Sequence, residues 1–182
     1  MAYSFDSRIR YSEVDAACRL GLTGLTNYFQ DCSVFHSQSH DVGIRFVADN
    51  HIAWVLSSWQ ICINKLPLLN EQVRISTWAY GMKAFYGYRN FKMEDADGNL
   101  LAYANSVWVL VNTQTGRPVK VPQEFADTYG LEPQLEMDCA KRKIQIPDDM
   151  KQNGEIVVPQ FFIDSNQHMN NEKYIMLAQQ QL

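Results

Sequence analysis

The densest run of reactive side chains in this sequence is Asp164-Ser165-Asn166-Gln167-His168-Met169-Asn170-Asn171. It stands between a β-rich stretch, Glu155 to Ile163, and a run of helix formers that includes Glu172, Lys173, Met176, Leu177 and Ala178. A helix beginning here directs unbonded amides and a partial positive charge at whatever lies before it, which polarises a carbonyl. A carboxylate such as Asp164 orients or deprotonates a water. The Asn166 amide can hold that water and donate to an oxyanion, and His168 can hydrogen-bond either party. The same residue types also serve as turn and helix-cap partners, with the histidine merely satisfied nearby. Local pattern alone leaves both roles open.

The run has a counterpart near the N-terminus. RIRYSEVDAACRLGLTGLTNYFQDC can be laid on PQFFIDSNQHMNNEKYIMLAQQ with Asp15 over Asp164. Ala17 then lies over Asn166, Arg19 over His168, and Gly21-Leu22 over Asn170-Asn171. The first copy is mostly apolar where the second is polar, which reads as duplication with chemistry kept in one half. The first unit continues for about a hundred residues. The second stops after its helix, short of roughly 60 residues of strand by ordinary element lengths. A lone helix and strand cannot bury an apolar face, so the second unit is expected to be truncated or completed by another molecule.

The elements that must position these residues follow from periodicity. Tyr3 to Tyr11 alternates as a half-buried strand. From Thr23 to Ser39, the residues Leu25, Phe29, Cys32 and His36 fall on one helical face, with Gly43 as a stop. Four β-rich runs follow: Ile52–Asn64, Glu71–Tyr80, Lys83–Glu94 and Asn99–Asn112. They are expected to form a meander whose last hairpin turns at Asp95-Ala96-Asp97-Gly98. That loop does not fit a calcium site, because its Gly comes two positions early and no distal Glu follows. A surface linker with a short helix at Gln123–Tyr129 then leads to the basic run Lys141-Arg142-Lys143. The fold class implied is α+β, a long helix wrapped by an antiparallel sheet. The expected domains are 1–116, a linker at 117–141, and 142–182 as the incomplete start of a second unit.

Composition narrows the functional classes. A formal net charge of −4 disfavours nucleic acid, whose phosphates require a basic surface. Aromatic residues make up 12%, enough ring area to fill a core or line an apolar tunnel. No apolar stretch reaches bilayer-spanning length, so membrane insertion is not expected. The N-terminus lacks the apolar core of a signal peptide, and the four cysteines form no CxxC pair. A cytoplasmic protein with reduced thiols is the expectation. His36 and His40 have a chelating spacing but no HExxH glutamate, so they read as core or surface histidines and no metal is expected. Cys18 and Cys32 read as small apolar residues.

Ile163 to Ile175, IDSNQHMNNEKYI, resembles the D-x-N-x-H-x-N-N-x-x-Y signature of plant and bacterial acyl-ACP thioesterases of the double-hotdog group. YSEVD (Tyr11–Asp15), WVLSSWQICI (Trp54–Ile63), FYGYRNF (Phe85–Phe91) and ANSVWVLVNTQTGRPVKVP (Ala104–Pro122) are similar to the same family, in the same order. The resemblance implies a tandem hotdog and hydrolysis of fatty acyl thioesters on acyl carrier protein in fatty acid biosynthesis, without a cofactor. It implies Asp164, Asn166 and His168 as catalytic residues; the family's further Glu lies on a strand beyond Leu182. It also makes Leu25, Phe29, Trp54, Trp59, Phe85 and Trp108 candidates for acyl-tail contact, against the plainer reading as core. Lys141-Arg142-Lys143 reads as a solvated run or a steering patch for an acidic carrier protein. An acyl-CoA substrate, a non-catalytic acyl-binding role and a homo-oligomeric state stay open.

Overall fold

The computed structural model describes all residues except 142, 153, 165, 166 and 182. Strand β1 (Tyr3–Arg8) leads through a 3₁₀ turn (Tyr11–Glu13) to helix α1 (Leu22–Ser39) and a short helix α2 (Ile44–Asp49). Strands β2 (Ile52–Ile63), β3 (Gln72–Lys83), β4 (Tyr86–Asp95) and β5 (Leu100–Asn112) follow, then helices α3 (Gln123–Tyr129) and α4 (Asn171–Gln179). The five strands form one antiparallel sheet in the order β1-β3-β4-β5-β2.

The predicted apolar face of α1 is the face that packs. Leu25, Phe29, Cys32 and His36 are all essentially inaccessible to solvent. Ile75, Phe91, Met93 and Ala104 from three central strands join the first three in one core. The Phe29 ring stacks on Phe91 at 5.2 Å and meets Trp59 edge-on at 6.4 Å. Burying a ring of this size contributes about 1.5–3 kcal/mol. A single long helix held in a curled antiparallel sheet is the hotdog arrangement.

Three local expectations need correction. The four strands after α2 do not form a simple meander, because β2 pairs with β5 rather than β3, from Ile52 opposite Asn112 to Ile63 opposite Ala102. The connection containing Pro67 carries the chain across the sheet, and Leu20 N–H donates to the Pro67 carbonyl at 2.9 Å, so β3 arrives beside β1. Gly43 does not stop α1. The stop is a Schellman turn with Asp41 in the left-handed region (φ 59°), Val42 N–H donating to Ser37 O and Asp41 N–H to Gln38 O. Gly43 instead caps the start of α2. Third, Glu155 to Ile163 forms no strand, and a 3₁₀ turn occupies Gln160–Phe162. Alternation marks a residue run as able to be a strand, but a strand also needs a neighbour for its backbone groups. Ile156, Val157 and Val158 are 52%, 92% and 44% exposed.

The chain beyond β5 is tied down at several points. Val121 and Phe125 bury against Leu110 and Trp54, and Tyr129 is buried beside α1. Trp78 Nε1 donates to Pro133 O, Leu135 N–H to Asn90 Oδ1, and Ala140 N–H to Gln60 Oε1. Helix α4 packs on α1, where Asn171 Nδ2 donates to Gln30 Oε1 at 2.9 Å. Its Tyr174 is 60% exposed.

Candidate functional site

The duplicated segment folds twice into the same turn. In the first copy Asp15 N–H donates to Arg19 O (2.8 Å) and Cys18 N–H to Asp15 O (2.9 Å). In the second, Asp164 N–H donates to His168 O (2.8 Å) and Gln167 N–H to Asp164 O (3.0 Å). Isolated bridges join Val14 to Leu20 and Ile163 to Met169. Cys18 (φ 58°) and Gln167 (φ 60°) take the left-handed conformation the tight return requires. A 3₁₀ turn precedes each, Tyr11–Glu13 and Gln160–Phe162, and a helix follows, capped by Gly21 and Asn170. Gly21 N–H donates to Glu13 O, and Asn170 N–H to Phe162 O. Each pair has the spacing of the sequence register, so two different sequences encode one backbone device.

The carboxylate anchors the turn in both copies. Asp15 Oδ1 accepts from the Ala17 and Arg19 amides at 2.8 and 3.0 Å, and Asp164 Oδ1 from the His168 amide at 3.4 Å. The Asn170 side chain caps α4 by accepting from Glu172 N–H. The sequence therefore served both readings of Asp164: it is a turn anchor, and it also faces a cavity.

That cavity is a cleft of about 1490 Å³ between α1, the β2–β5 side of the sheet and the second turn. Asp164, Gln167 and His168 line it, together with Trp54, Trp59 and Trp108. The structure thus brings two of the three sequence-designated catalytic residues to the apolar wall. Asn166 lies outside the described residues. Among the proposed acyl-tail residues, Trp54, Trp59 and Trp108 face the cleft, whereas Leu25 and Phe29 belong to the core and Phe85 is 41% exposed at the β3–β4 turn. Lys141 and Lys143 are exposed, and Arg142 is outside the described residues.

The cleft is also lined by residues that the sequence did not single out. They are Gln30, Ser33 and Ser37 of α1, Arg89 of β4 and Tyr129 of α3, with the Ser37 and Tyr129 hydroxyls 2.9 Å apart. Arg89 Nη1 donates to His36 Nδ1 (2.8 Å) and Thr77 Oγ1 (3.2 Å), and its Cζ stands 5.2 Å from the Tyr129 ring centre. Burial, then the Arg89 charge, pushes the His36 pKa down to about 3, so the imidazole is neutral. A signal was present: Arg89 falls in the period-two series Gly87, Arg89, Phe91, Met93, whose members are all buried.

The fold is a hotdog, and its cleft is walled largely by apolar side chains. A family model for the acyl-ACP thioesterase N-terminal domain matches residues 2–129. The chain belongs to the acyl-ACP thioesterase family. It is 26% identical over 189 residues to a chloroplastic palmitoyl-acyl carrier protein thioesterase of Gossypium hirsutum, covering 96% of this chain and 46% of that protein. It is 31% identical over 136 residues to the chloroplastic oleoyl-acyl carrier protein thioesterase 2 of Arabidopsis thaliana, covering 69% and 37%. The crystal structure of an acyl-ACP thioesterase from Bacteroides thetaiotaomicron shares its fold, with a TM-score of 0.88 at 24% identity over 100% of this chain and 73% of that one. The chain spans less than half the length of the curated relatives named here. No helix among the described residues is long and apolar enough to cross a membrane.

Proposed function

We propose that the protein hydrolyses fatty acyl thioesters on acyl carrier protein, releasing free fatty acid and holo-carrier, with Asp164, Asn166 and His168 as its catalytic residues. The observation that carries this reading is the second turn, which repeats the first turn's backbone but points Asp164 and His168 into an apolar cleft. Family membership and the acyl-carrier thioesterases among its relatives support the substrate class. In the proposed reaction the Asp164 carboxylate orients a water against the thioester carbonyl, while His168 and Asn166 hydrogen-bond the water or the developing oxyanion. The thiol departs as thiolate with little need of a proton, so water activation is the demanding step. The hydrocarbon lies along Trp54, Trp59 and Trp108.

The same reading assigns 1–116 to the acyl-tail unit, 117–141 to a connection and 142–182 to the opening of a catalytic unit. A cytoplasmic setting suits the four cysteines, all of which are free thiols. The test compares the full-length protein on acyl-ACP and acyl-CoA of equal chain length, with Asp164→Ala and His168→Ala alongside. Turnover of acyl-ACP that collapses in both variants is the expected result. Preference for acyl-CoA would move the substrate, and acyl binding without turnover of either would make this an acyl-binding protein.

A further inference from the structure

Arg89 is the charged group that the proposed hydrolysis does not use. Its side chain is only 8% exposed, and burial pushes its pKa down. Among the described residues no carboxylate lies within ion-pairing distance of it. Its guanidinium hydrogen bonds both leave from Nη1, toward His36 Nδ1 and Thr77 Oγ1. Arginine cannot accept, so His36 Nδ1 must, which puts the imidazole proton on Nε2, 3.2 Å from His40 Nε2. His36 is therefore a neutral partner and cancels no charge. A buried cation without a counter-ion is strongly unfavourable unless something supplies the opposite charge.

The cleft reaches this corner, because Arg89, Tyr129 and Ser37 line it along with Trp54 and Trp59. The Nε–Nη2 edge of the guanidinium, which has no acceptor among the described residues, is the fork that binds a carboxylate through two parallel bonds. The rest of the space is walled by tryptophan, Met82 and Ile61, which suit hydrocarbon.

We propose that this corner is a carboxylate site and that the cleft takes a free long-chain fatty acid head-first, its two oxygens on the Arg89 fork and its chain along the tryptophan wall. This rests on the acyl-binding part of the reading above and adds an anchor for the head group distinct from Asp164 and His168, which face the substrate's carbonyl in that reading. A released fatty acid that settles with its carboxylate on Arg89 then excludes the next acyl chain, so the protein is inhibited by its own product.

Three probes of one length separate the possibilities: dodecanoate, methyl dodecanoate and 1-dodecanol, each below its micelle concentration at neutral pH. Binding to the full-length protein is read from tryptophan fluorescence, since three of the four tryptophans line the cleft. Dodecanoate should bind tighter than the ester and the alcohol by on the order of 10- to 100-fold, the worth of a charge-assisted pair. Arg89→Met should reduce dodecanoate to the affinity of the ester, and Arg89→Lys, which keeps charge but loses the fork, should fall between. Equal affinity for acid and ester in the wild type overturns the proposal, as does a preference that survives Arg89→Met. Should that variant fail to fold, carboxyl-¹³C dodecanoate bound to the wild type decides: on Arg89 its carboxyl titrates below the free acid, and an unchanged or raised titration refutes the site. Selective dodecanoate binding without thioester hydrolysis would refute the catalytic reading alone. Hydrolysis with indifferent binding of acid and ester would refute this one alone.

Discussion

The two copies of the turn allow stability and catalysis to be separated by one pair of substitutions, Asp15→Ala and Asp164→Ala. Asp15 Oδ1 accepts two amides at 2.8 and 3.0 Å, in an exposed turn. Losing a carboxylate that caps backbone amides costs about 1 kcal/mol per bond, so Asp15→Ala should destabilise by about 2 kcal/mol. For a protein of this size that is a fall in Tm of about 4–8 °C. Asp164 Oδ1 accepts from the His168 amide at 3.4 Å and Asp164 makes a further interaction besides, so Asp164→Ala should lower Tm as well. Turnover should tell the two variants apart. Asp164→Ala removes the group proposed to orient water, an expected loss on the order of 100- to 1000-fold in kcat, or about 3–4 kcal/mol of transition-state stabilisation. Asp15→Ala should leave kcat nearly intact below its melting range. Of the proposed catalytic set the first copy keeps only the aspartate, with Ala17 and Arg19 at the places of Asn166 and His168. Calorimetry and steady-state hydrolysis of dodecanoyl-ACP by the full-length protein measure both axes. Equal losses of kcat in the two variants would place the active site elsewhere, and an Asp164→Ala enzyme within tenfold of wild type would reduce that residue to a turn anchor.

Other substitutions probe the rest of the molecule. Because the folded pKa of His36 is held near 3 against an ordinary 6.5, the unfolded chain takes up a proton between those values that the folded protein refuses. Stability is therefore fully present above pH 6.5 and is lost as pH falls toward 3; urea midpoints at pH 7 and 4.5 should differ less in His36→Gln than in wild type. Phe29→Ala should cost about 3–5 kcal/mol through the cavity left between Phe91 and Trp59, read as a lower urea midpoint at unchanged slope. A Cβ at Gly87 would stand 3.0 Å from two ring carbons of Trp54. Gly87→Val should therefore push that indole into the cleft and lower affinity for the longest acyl chains first, as a chain-length series would show.

Much of this molecule follows from local pattern. The face Leu25, Phe29, Cys32 and His36 identifies α1, because a helix that buries one stripe repeats its apolar residues near every 3.6 positions. The Asp-Ala-Asp-Gly turn identifies the β4–β5 hairpin: Asp95 Oδ1 holds the Asp97 and Asn99 amides, and Gly98 takes φ 82°. The Asp15–Asp164 register is legible for the same reason, since an aspartate-anchored turn before a helix is encoded within a few residues. Family motifs add the family, which no periodicity supplies.

Tertiary structure decided what depends on neighbours distant in sequence. Alternation does not say which strand lies beside which, so β2 joined β5, and Ile156 to Val158 formed no strand where the described residues offer none to pair with. A helix stop needs a residue that tolerates positive φ at the right step, and Asp41 took that place ahead of the more suggestive Gly43. Leu25, Phe29 and Trp59 are alike in the sequence as large apolar residues, yet the first two are core and only Trp59 faces the cleft. Above all, nothing near Arg89 in the chain announces His36, Thr77 or Tyr129. A cationic corner in an apolar cleft exists only once a helix, two strands and the end of α3 meet around one guanidinium, and such charges are set by burial and proximity, which a linear sequence does not contain.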